Sequence, residues 1–378
     1  YDGIIKGSLI FTPDSKRVVY AVEVSGKHLV MVDGKEGKAY DRIAQGSLVF
    51  SPDSKRVAYV AIASKKLFVV VDGQESKPYD GIGTLVFSQD GKRVAYATKI
   101  GNKALVVVDG KEGKPYDDIM HGTPVFSPDG KREAYSVRFG TKWSVVIDGK
   151  EGKRYDGIGK GIPVFSPDSK RLAYWAMSGS KWSVVVDGKE DKSYDGNGAL
   201  LFSPDGKRVA YWTISGNKGF VVVDGKEDKH YDGIGEIVFS PNSKRLDYMA
   251  QAGTKQFMVV DGKEGKHYDS AGGSLFSSDS KRLAYAARTG NRWFVVVDGR
   301  EGKHHDGITE DSPIFSPDGR RVAYVAVSGN KGLVVVDGKE GKPFDGLKGS
   351  RIVFDSPDSL QYLARRGDGV YLVEEKLK

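Results

Sequence analysis

The sequence predicts an all-β fold built from ten copies of one four-stranded unit. Three observations support it: one phrase recurs along the whole chain, each copy holds short β-branched and aromatic runs between turn residues, and no stretch has helical periodicity. A Phe that precedes a turn recurs at intervals of 37 or 39 residues, with no linker between copies. The predicted domain is therefore residues 1–378, in ten repeats of 37–39 residues. The marker residues are Phe11, Phe50, Phe87, Phe126, Phe165, Phe202, Phe239, Phe276, Phe315 and Phe354.

Each repeat divides into four predicted strands, which we call A, B, C and D. Strand A is G-x-x-V-F, strand B is R-V-A-Y-V-A, strand C is the Val-rich run before Asp-Gly, and strand D is K-P-Y-D. Ser-Pro-Asp followed by Gly or Ser predicts a tight turn between A and B, and Asp-Gly-Lys-Glu-Gly-Lys connects C to D. Strand C is apolar at successive positions, as in residues 221–223, which predicts burial on both faces of the sheet.

Four-stranded sheets packed between neighbouring sheets are the blades of a β-propeller, so we predict a single ten-bladed β-propeller of antiparallel blades. The last repeat stops after strand C, whereas residues 1–4 match the end of a strand D such as residues 155–158. We therefore expect the N-terminal strand to complete the last blade and close the ring. The alternatives are a linear β-solenoid and two smaller propellers, although no closure signal or linker separates the fifth and sixth repeats.

Composition argues against several classes of function. The absence of Cys excludes disulfides, a thiol nucleophile and zinc–thiolate sites. No apolar run approaches the roughly 18–20 residues that cross a bilayer, so we expect no membrane span. The net charge of +8 comes from interspersed acids and bases, which argues only weakly for nucleic acid, and we do not expect nucleic-acid binding.

Strand A lines the channel of a propeller, and its copies here are small and apolar. Only Glu236 and Arg351 bring charge near this strand. The six His residues do not make a metal site. Four of them occupy or adjoin one outer-strand position on successive blades, namely His230, His267, His304 and His305, and His28 and His121 are isolated. Since no acid, base or His groups converge, we expect no enzymatic activity, no cofactor and no metal.

Three segments carry a family resemblance: residues 126–132, 202–208 and 315–321 read Phe-Ser-Pro-Asp-Gly followed by two basic residues. They resemble the WD40-like (PD40) repeats of TolB-type β-propellers, and the resemblance covers all ten repeats. It implies a non-catalytic interaction propeller, most often exported. The chain departs from TolB, which has a smaller ring and a separate N-terminal domain. It also departs from the propeller-containing peptidases, because it has no G-x-S-x-G elbow.

Four tryptophans are the most distinctive departure from the repeat. Trp143 and Trp182 begin strand C in the fourth and fifth repeats, and Trp175 and Trp212 follow the repeat Tyr on strand B in the fifth and sixth. All four are expected near the B–C turns of three consecutive blades. Trp is favoured at binding anchors, so these residues are the candidate ligand- or partner-binding site. The alternative is that they fill space between blades.

An Asp recurs at the end of strand D, and we expect it to be structural. A carboxylate ring for cations is the alternative, but an Asp that caps the backbone of the following Gly-containing loop explains one copy per repeat. The expected structural turn residues include Asp41, Asp80, Asp156, Asp195 and Asp232. We also expect Arg208 at the start of strand B to pair with Asp224 at the end of strand C.

These observations together predict a non-enzymatic protein–protein interaction scaffold in the cell envelope or in an extracellular assembly. The expected partner is another protein or a peptide. The alternative is a carbohydrate- or peptidoglycan-binding module that uses the Trp-rich arc on the B–C face. We expect a periplasmic or extracellular location. Because Tyr1 begins midway through a strand D, we also expect that upstream residues, including any signal peptide, were processed or truncated.

Overall fold

A computed structural model describes residues 1–159, 163–310, 312–347 and 351–377. Every regular element in these ranges is a β-strand, and the strands form antiparallel sheets that we number 1 to 10 in chain order. This confirms the all-β prediction. The chain divides into two compact units, residues 1–193 and residues 194–378. Within the described ranges, no helix has the length and apolar character needed to cross a membrane.

Strands B and C are the most regular elements, and they form the central hairpin of every sheet. They pair antiparallel across a two-residue turn, as where Ala63 lies opposite Lys66. The B strands are Val18–Val24, Val57–Ala63, Val94–Ile100, Glu133–Phe139, Leu172–Ser178, Val209–Ser215, Leu246–Ala252, Leu283–Thr289, Val322–Ser328 and Ser359–Arg366. The C strands are Lys27–Val32, Lys66–Val71, Lys103–Val108, Lys142–Ile147, Lys181–Val186, Lys218–Val223, Lys255–Val260, Arg292–Val297, Lys331–Val336 and Gly369–Lys376.

Strand D begins earlier than the sequence analysis predicts. In sheet 3, Val108 pairs with Lys111 across Asp109 and Gly110, whose φ angles are 50° and 78°. This two-residue turn with positive φ at both positions is the tight hairpin that Asp-Gly favours. The Tyr of strand D then returns to strand C as an isolated bridge, as Tyr116 does to the first apolar residue of that strand. The D strands are Lys35–Glu36, Gln74–Glu75, Lys111–Glu112, Lys150–Glu151, Lys189–Tyr194, Lys226–Glu227, Lys263–Glu264, Arg300–Glu301 and Lys339–Glu340.

In sheets 2 to 9, the form of the inner strand A follows the repeat length. It is unbroken in sheets 3, 6, 7 and 8, where the preceding interval is 37 residues. In sheets 2, 4, 5 and 9 the interval is 39 residues and the strand is in two pieces. In sheet 2 a tight turn closed by Ser47 separates them: its N–H donates to the Ala44 carbonyl (3.2 Å) and its hydroxyl accepts from the Val60 N–H (3.1 Å).

The unbroken A strands are Gly81–Phe87, Leu200–Phe202, Gly233–Phe239 and Ser270–Phe276, with Val353–Ser356 in sheet 10. The A strands in two pieces are Gly3–Ile4 with Ile10–Phe11, Arg42–Ile43 with Val49–Phe50, Asp118–Ile119 with Val125–Phe126, Gly157–Ile158 with Val164–Phe165, and Gly307–Ile308 with Ile314–Phe315. In each sheet both pieces pair with the same strand B.

The N-terminal strand pairs within its own repeat, which corrects its expected place as part of a strand D in the last blade. Gly3 and Ile4 lie opposite Glu23 and Val22 on strand B of sheet 1. The physical reason is local: the same short segment continues into Ile10–Phe11, which pairs with the same strand B. Within the described ranges, sheet 10 has three strands. Ring closure therefore stays a prediction.

The core lies between successive sheets of a unit. Val69 packs with Tyr79 of its own repeat and Tyr96 of the following repeat, whereas its neighbour Val70 packs with Val30 of sheet 1. Both valines are at most 1 % exposed. Strand C is therefore buried on both faces, which explains its unbroken apolar sequence.

Candidate functional site

Arginine at the start of strand B joins neighbouring sheets within each unit. Arg93 donates from Nε to Asp109 (2.9 Å) and from Nη1 to the Lys131 carbonyl in the next A–B turn (2.8 Å). Its guanidinium also lies 5.0 Å from the ring centroid of Phe126 in the next sheet. The predicted Arg208–Asp224 pair is confirmed at 2.9 Å. These charges are held in contacts between sheets, so they are not a free basic surface.

The outer edge of the sheets carries a second contact of this kind. In sheet 4 the Tyr155 hydroxyl donates to Glu190 (2.9 Å), and Lys153 Nζ lies 2.7 Å from the same carboxylate. The Lys153 ammonium, with help from the Tyr155 hydroxyl, holds the pKa of Glu190 below its ordinary value. Glu190 comes from strand D of sheet 5, so this contact also joins neighbouring sheets.

The Asp at the end of strand D is part of these contacts, although its hydrogen-bond donor differs from the one expected. Asp80 accepts from the N–H of Gly101 (2.7 Å), in the B–C turn of sheet 3, and from the ammonium of Lys66 on strand C of sheet 2. The Lys66 ammonium is the main cause of the lowered pKa of Asp80. The same cap on a B–C turn is made by Asp41, Asp156, Asp195 and Asp232.

The four predicted tryptophans differ in environment. Trp175 is 5 % exposed, which leaves it little surface for a partner. Trp212, in the second unit, packs on the core of sheets 6 and 7 with its ring against Gly198, where a Cβ would lie 2.2 Å from the ring. Trp143 and Trp182, in the first unit, are half-buried at the second position of strand C.

Two arginine–aromatic contacts lie at the B–C end of sheet 4, one on each face of the sheet. Trp143 packs on the side of sheet 5, and Phe139 packs on the side of sheet 3. Arg138 pairs opposite Trp143, with its guanidinium 6.0 Å from the ring centroid, and the Arg154 guanidinium is 4.0 Å from the centroid of Phe139. Arg138 also forms an ion pair with Asp118 at 3.7 Å. We call these two contacts together the sheet 4 cluster: Arg138 with Trp143 on one face, and Arg154 with Phe139 on the other. Trp and Arg are enriched at the energetic centres of protein interfaces.

Sequence analysis found one member of this cluster and missed three, because it considered Trp alone. The missed signal is an Arg five residues before a Trp, which a two-residue B–C turn places opposite each other. The same spacing recurs at Arg288 and Trp293 in sheet 8, where the guanidinium lies 5.7 Å from the ring centroid.

The exposed histidines of the second unit lie flat on aromatic rings. His230, His267 and His304 stack on Phe220, Phe257 and Phe294 with ring centroids 4.0, 4.0 and 4.4 Å apart. The three histidines occupy the same repeat position, at the outer edge of three successive sheets. In the part of the chain that the structure describes, no group of three or more His, Asp or Glu side chains is placed to hold a metal ion.

No family model matches the chain, and no curated protein matches it in sequence. Among solved structures, it is similar to a eukaryotic initiation factor, at 13% identity and a TM-score of 0.43 over 88% of this chain and 98% of that one. It is also similar to TolB from Acinetobacter baumannii, at 20% identity and a TM-score of 0.29 over 68% and 77%. A third likeness is the β-propeller domain of the Trilobed protease from Pyrococcus furiosus, at 14% identity and a TM-score of 0.32 over 68% and 96%. Likenesses of this size do not bear on function.

Proposed function

We propose that the chain is a non-enzymatic interaction scaffold that binds a protein or peptide partner through the sheet 4 cluster. The carrying observation is that the B–C end of sheet 4 has a half-buried Trp143 beside Arg138 on one face and an exposed Arg154 on Phe139 on the other. A partner that covers this end of the sheet would contact both faces. Among the described residues Arg154 has no ion-pair partner, so a partner carboxylate has a cation to bind. The proposed partner is therefore an acidic segment that also carries an apolar side chain.

The base of the cluster is fixed, which favours binding without rearrangement. Asp117 accepts a hydrogen bond from the N–H of Gly140 in the B–C turn (2.5 Å) and pairs with Lys103 of the preceding sheet (2.6 Å). A turn anchored to the preceding sheet in this way presents the neighbouring aromatic side chains at a small entropic cost on binding.

Affinity capture from the native source tests this proposal. Trp143→Ala combined with Arg154→Ala is expected to lose the partner that the wild type captures. Trp293→Ala is the matched control, because it removes the same Arg–Trp contact from sheet 8 and should keep the partner. Equal capture by all three proteins would contradict the proposal. A glycan array on the same proteins separates the alternative, since glycan binding that depends on Trp143 would instead support a carbohydrate-binding module.

We further propose that the sheets close into a single ten-bladed ring, with Tyr1 and Asp2 completing the last blade. The support is that the first and last sheets expose positions that other sheets bury. Tyr1 is 69 % exposed, whereas the equivalent Tyr40 is 3 % exposed. On sheet 10, Leu372 is 58 % exposed, whereas the equivalent Val69 is 1 % exposed.

The absence of Cys makes ring closure simple to test. Tyr40 bridges to His28 of the preceding strand C, and the equivalent pair across the closure is Tyr1 and Val370. Tyr1→Cys with Val370→Cys is expected to form a disulfide within the oxidised monomer, because bridged residues have Cα atoms about 5.5 Å apart. His28→Cys with Tyr40→Cys is the internal control. A disulfide in the control pair alone would contradict closure.

We also propose that the scaffold is exported to the periplasm or outside the cell. The support is the resemblance of its Phe-Ser-Pro-Asp-Gly segments to TolB-type repeats. Fractionation of the native source against marker proteins tests this proposal, and recovery with a cytoplasmic marker would contradict it.

A further inference from the structure

Asp247 is buried between sheets 7 and 8 at a repeat position that is Ala in the adjoining repeats. It is 0 % exposed, as are Ala210 and Ala284 at the equivalent positions. Neither carboxyl oxygen of Asp247 has a hydrogen-bond partner among the described residues. Because a buried polar group without a partner costs several kcal/mol, on the order of 2–7, this Asp needs an explanation that the repeat does not give.

A matching change occurs on the inner strand of sheet 8. Two residues before the marker Phe, the other repeats have Leu, Ile or Pro, but sheet 8 has Ser274. Burial raises the pKa of Asp247 to about 7, and Ser274 is near enough to lower it in part. Two ordinarily apolar positions of adjoining sheets have thus both become polar, and they lie together.

A second acid, Glu236, lies near Asp247. Glu236 is exposed on the inner strand of sheet 7, two residues before Val238, which pairs directly with Asp247. Its charge raises the pKa of Asp247 further. Across the described residues Glu236 has neither an ion pair nor a hydrogen bond. Gly272 and Gly273 on the facing strand have open space where side chains would stand.

The nearest base does not neutralise these acids. Arg245 acts on Asp247 electrostatically, but its Nε donates to Asp261 (3.0 Å) and its Nη1 to the Lys281 carbonyl (3.1 Å). Asp261, an acid at a repeat position, has an arginine partner, whereas Asp247 and Glu236 lie outside the repeat pattern.

We propose that Asp247, Glu236 and Ser274 bind a primary ammonium group on an aliphatic stem, which enters past Gly272 and Gly273. An ammonium has three donors, and the two carboxylates and the hydroxyl supply three acceptors. A metal ion fits less well, because the described residues bring no third acid or His here. The ammonium belongs to a free amine or to a lysine side chain of a partner.

Titration calorimetry in a buffer free of primary amines tests the site, with cadaverine and Nα-acetyl-lysine amide as probes. At least one probe is expected to bind the wild type. Binding of cadaverine alone assigns a free amine, and binding of both assigns a lysine side chain. Tetramethylammonium, which has no N–H donor, should not bind. Absence of binding by both probes at millimolar concentration would overturn the proposal.

Variants that carry the residues found at these positions in other repeats are expected to fold, so a loss of binding in them reports on the site and not on unfolding. Asp247→Ala with Ser274→Leu returns the residues found in other repeats and is expected to fold and to lose affinity at least tenfold. Glu23→Gln, at an exposed acid of sheet 1, should bind as the wild type does. Affinity of the wild type should rise between pH 6 and pH 8, because Asp247 must lose its proton to bind a cation. Equal affinity in the restored variant, or no change with pH, would refute the site.

Discussion

The arginine at the start of strand B has contacts that lysine cannot reproduce. Arg93 serves Asp109, the Lys131 carbonyl and Glu133 (2.9 Å from Nη2) with different N–H groups of one plane, and that plane also covers Phe126. A lysine ammonium is a compact charge that neither forks nor stacks in this way.

Arg93→Lys is therefore expected to destabilise the protein, although it keeps the charge. Hydrogen bonds to charged groups contribute about 1.5–3 kcal/mol, so a loss of that order is expected in urea unfolding. Lys131→Ala removes a side chain that is 82 % exposed and should change the midpoint little. Equal midpoints for Arg93→Lys and the wild type would show that charge alone is sufficient.

His305 replaces the strand D Tyr in one repeat and leaves two polar groups without partners. Its ring is fully buried, its Nε2 has no partner among the described residues, and neither has the Tyr324 hydroxyl that it faces. In sheet 4 the equivalent Tyr155 donates to Glu190.

His305→Tyr is expected to raise stability by about 1 kcal/mol, because the new hydroxyl can donate to Glu340. Thermal melting of the variant beside the wild type measures the change. A lower melting temperature would mean that the pocket has adapted to the imidazole ring.

Asp247 makes stability depend on pH in the direction opposite to the paired acids. Its folded pKa of about 7 lies above the unfolded value, so its protonated form is favoured by folding. The contribution of Asp247 to the free energy of unfolding is therefore fully present below about pH 4 and is lost as pH rises to about 7. The free energy of unfolding of Asp247→Ala should exceed that of the wild type by an amount that grows as pH rises from about 4 to about 7, to at most about 4 kcal/mol. Urea midpoints at several pH values, without amines, measure the difference, and a constant difference would contradict the burial effect.

At the scale of elements, the turn between strands C and D requires glycine. Gly110 has a φ of 78°, a conformation that other residues rarely adopt. Gly110→Ala is expected to cost about 1 kcal/mol or more. Gly3→Ala is the control, since Gly3 is exposed, lies in a strand and has open space around its Cα. Comparable melting curves for the two variants would indicate that the turn adapts.

The elements that could be predicted from the sequence are those set by local chemistry. Strands B and C follow from β-branched runs. The apolar character of residues 221–223 correctly indicated burial on both faces, since the adjacent Val221 and Val222 are both 0 % exposed. The form of strand A was not predicted, although the intervals of 37 and 39 residues carried the signal. The sheet 4 cluster could be predicted only with the register of the B–C hairpin, because that register places Arg138 opposite Trp143. Asp247 could have been recognised from the sequence only by comparing the repeats at that one position.

At the scale of the whole molecule, the proposed ring predicts different roles for two exposed aliphatic side chains. Leu372 and Ile100 are 58 % and 47 % exposed, but only Leu372 lies on the face that closure would cover. Leu372→Glu is therefore expected to lower the melting temperature by several degrees more than Ile100→Glu. Equal effects would indicate that the end sheets stay uncovered.

The strand B arginines and the strand D tyrosines reach forward along the chain to the next sheet, and this has a consequence for protein synthesis. Arg93 reaches forward to the turn at Lys131, and Tyr155 reaches forward to Glu190. While the ribosome is still making a repeat, the sheet before it has no acceptors for these side chains. We therefore expect folding on the ribosome to trail elongation by one repeat within each unit, so that a stalled nascent chain carries one unsecured sheet near the exit tunnel.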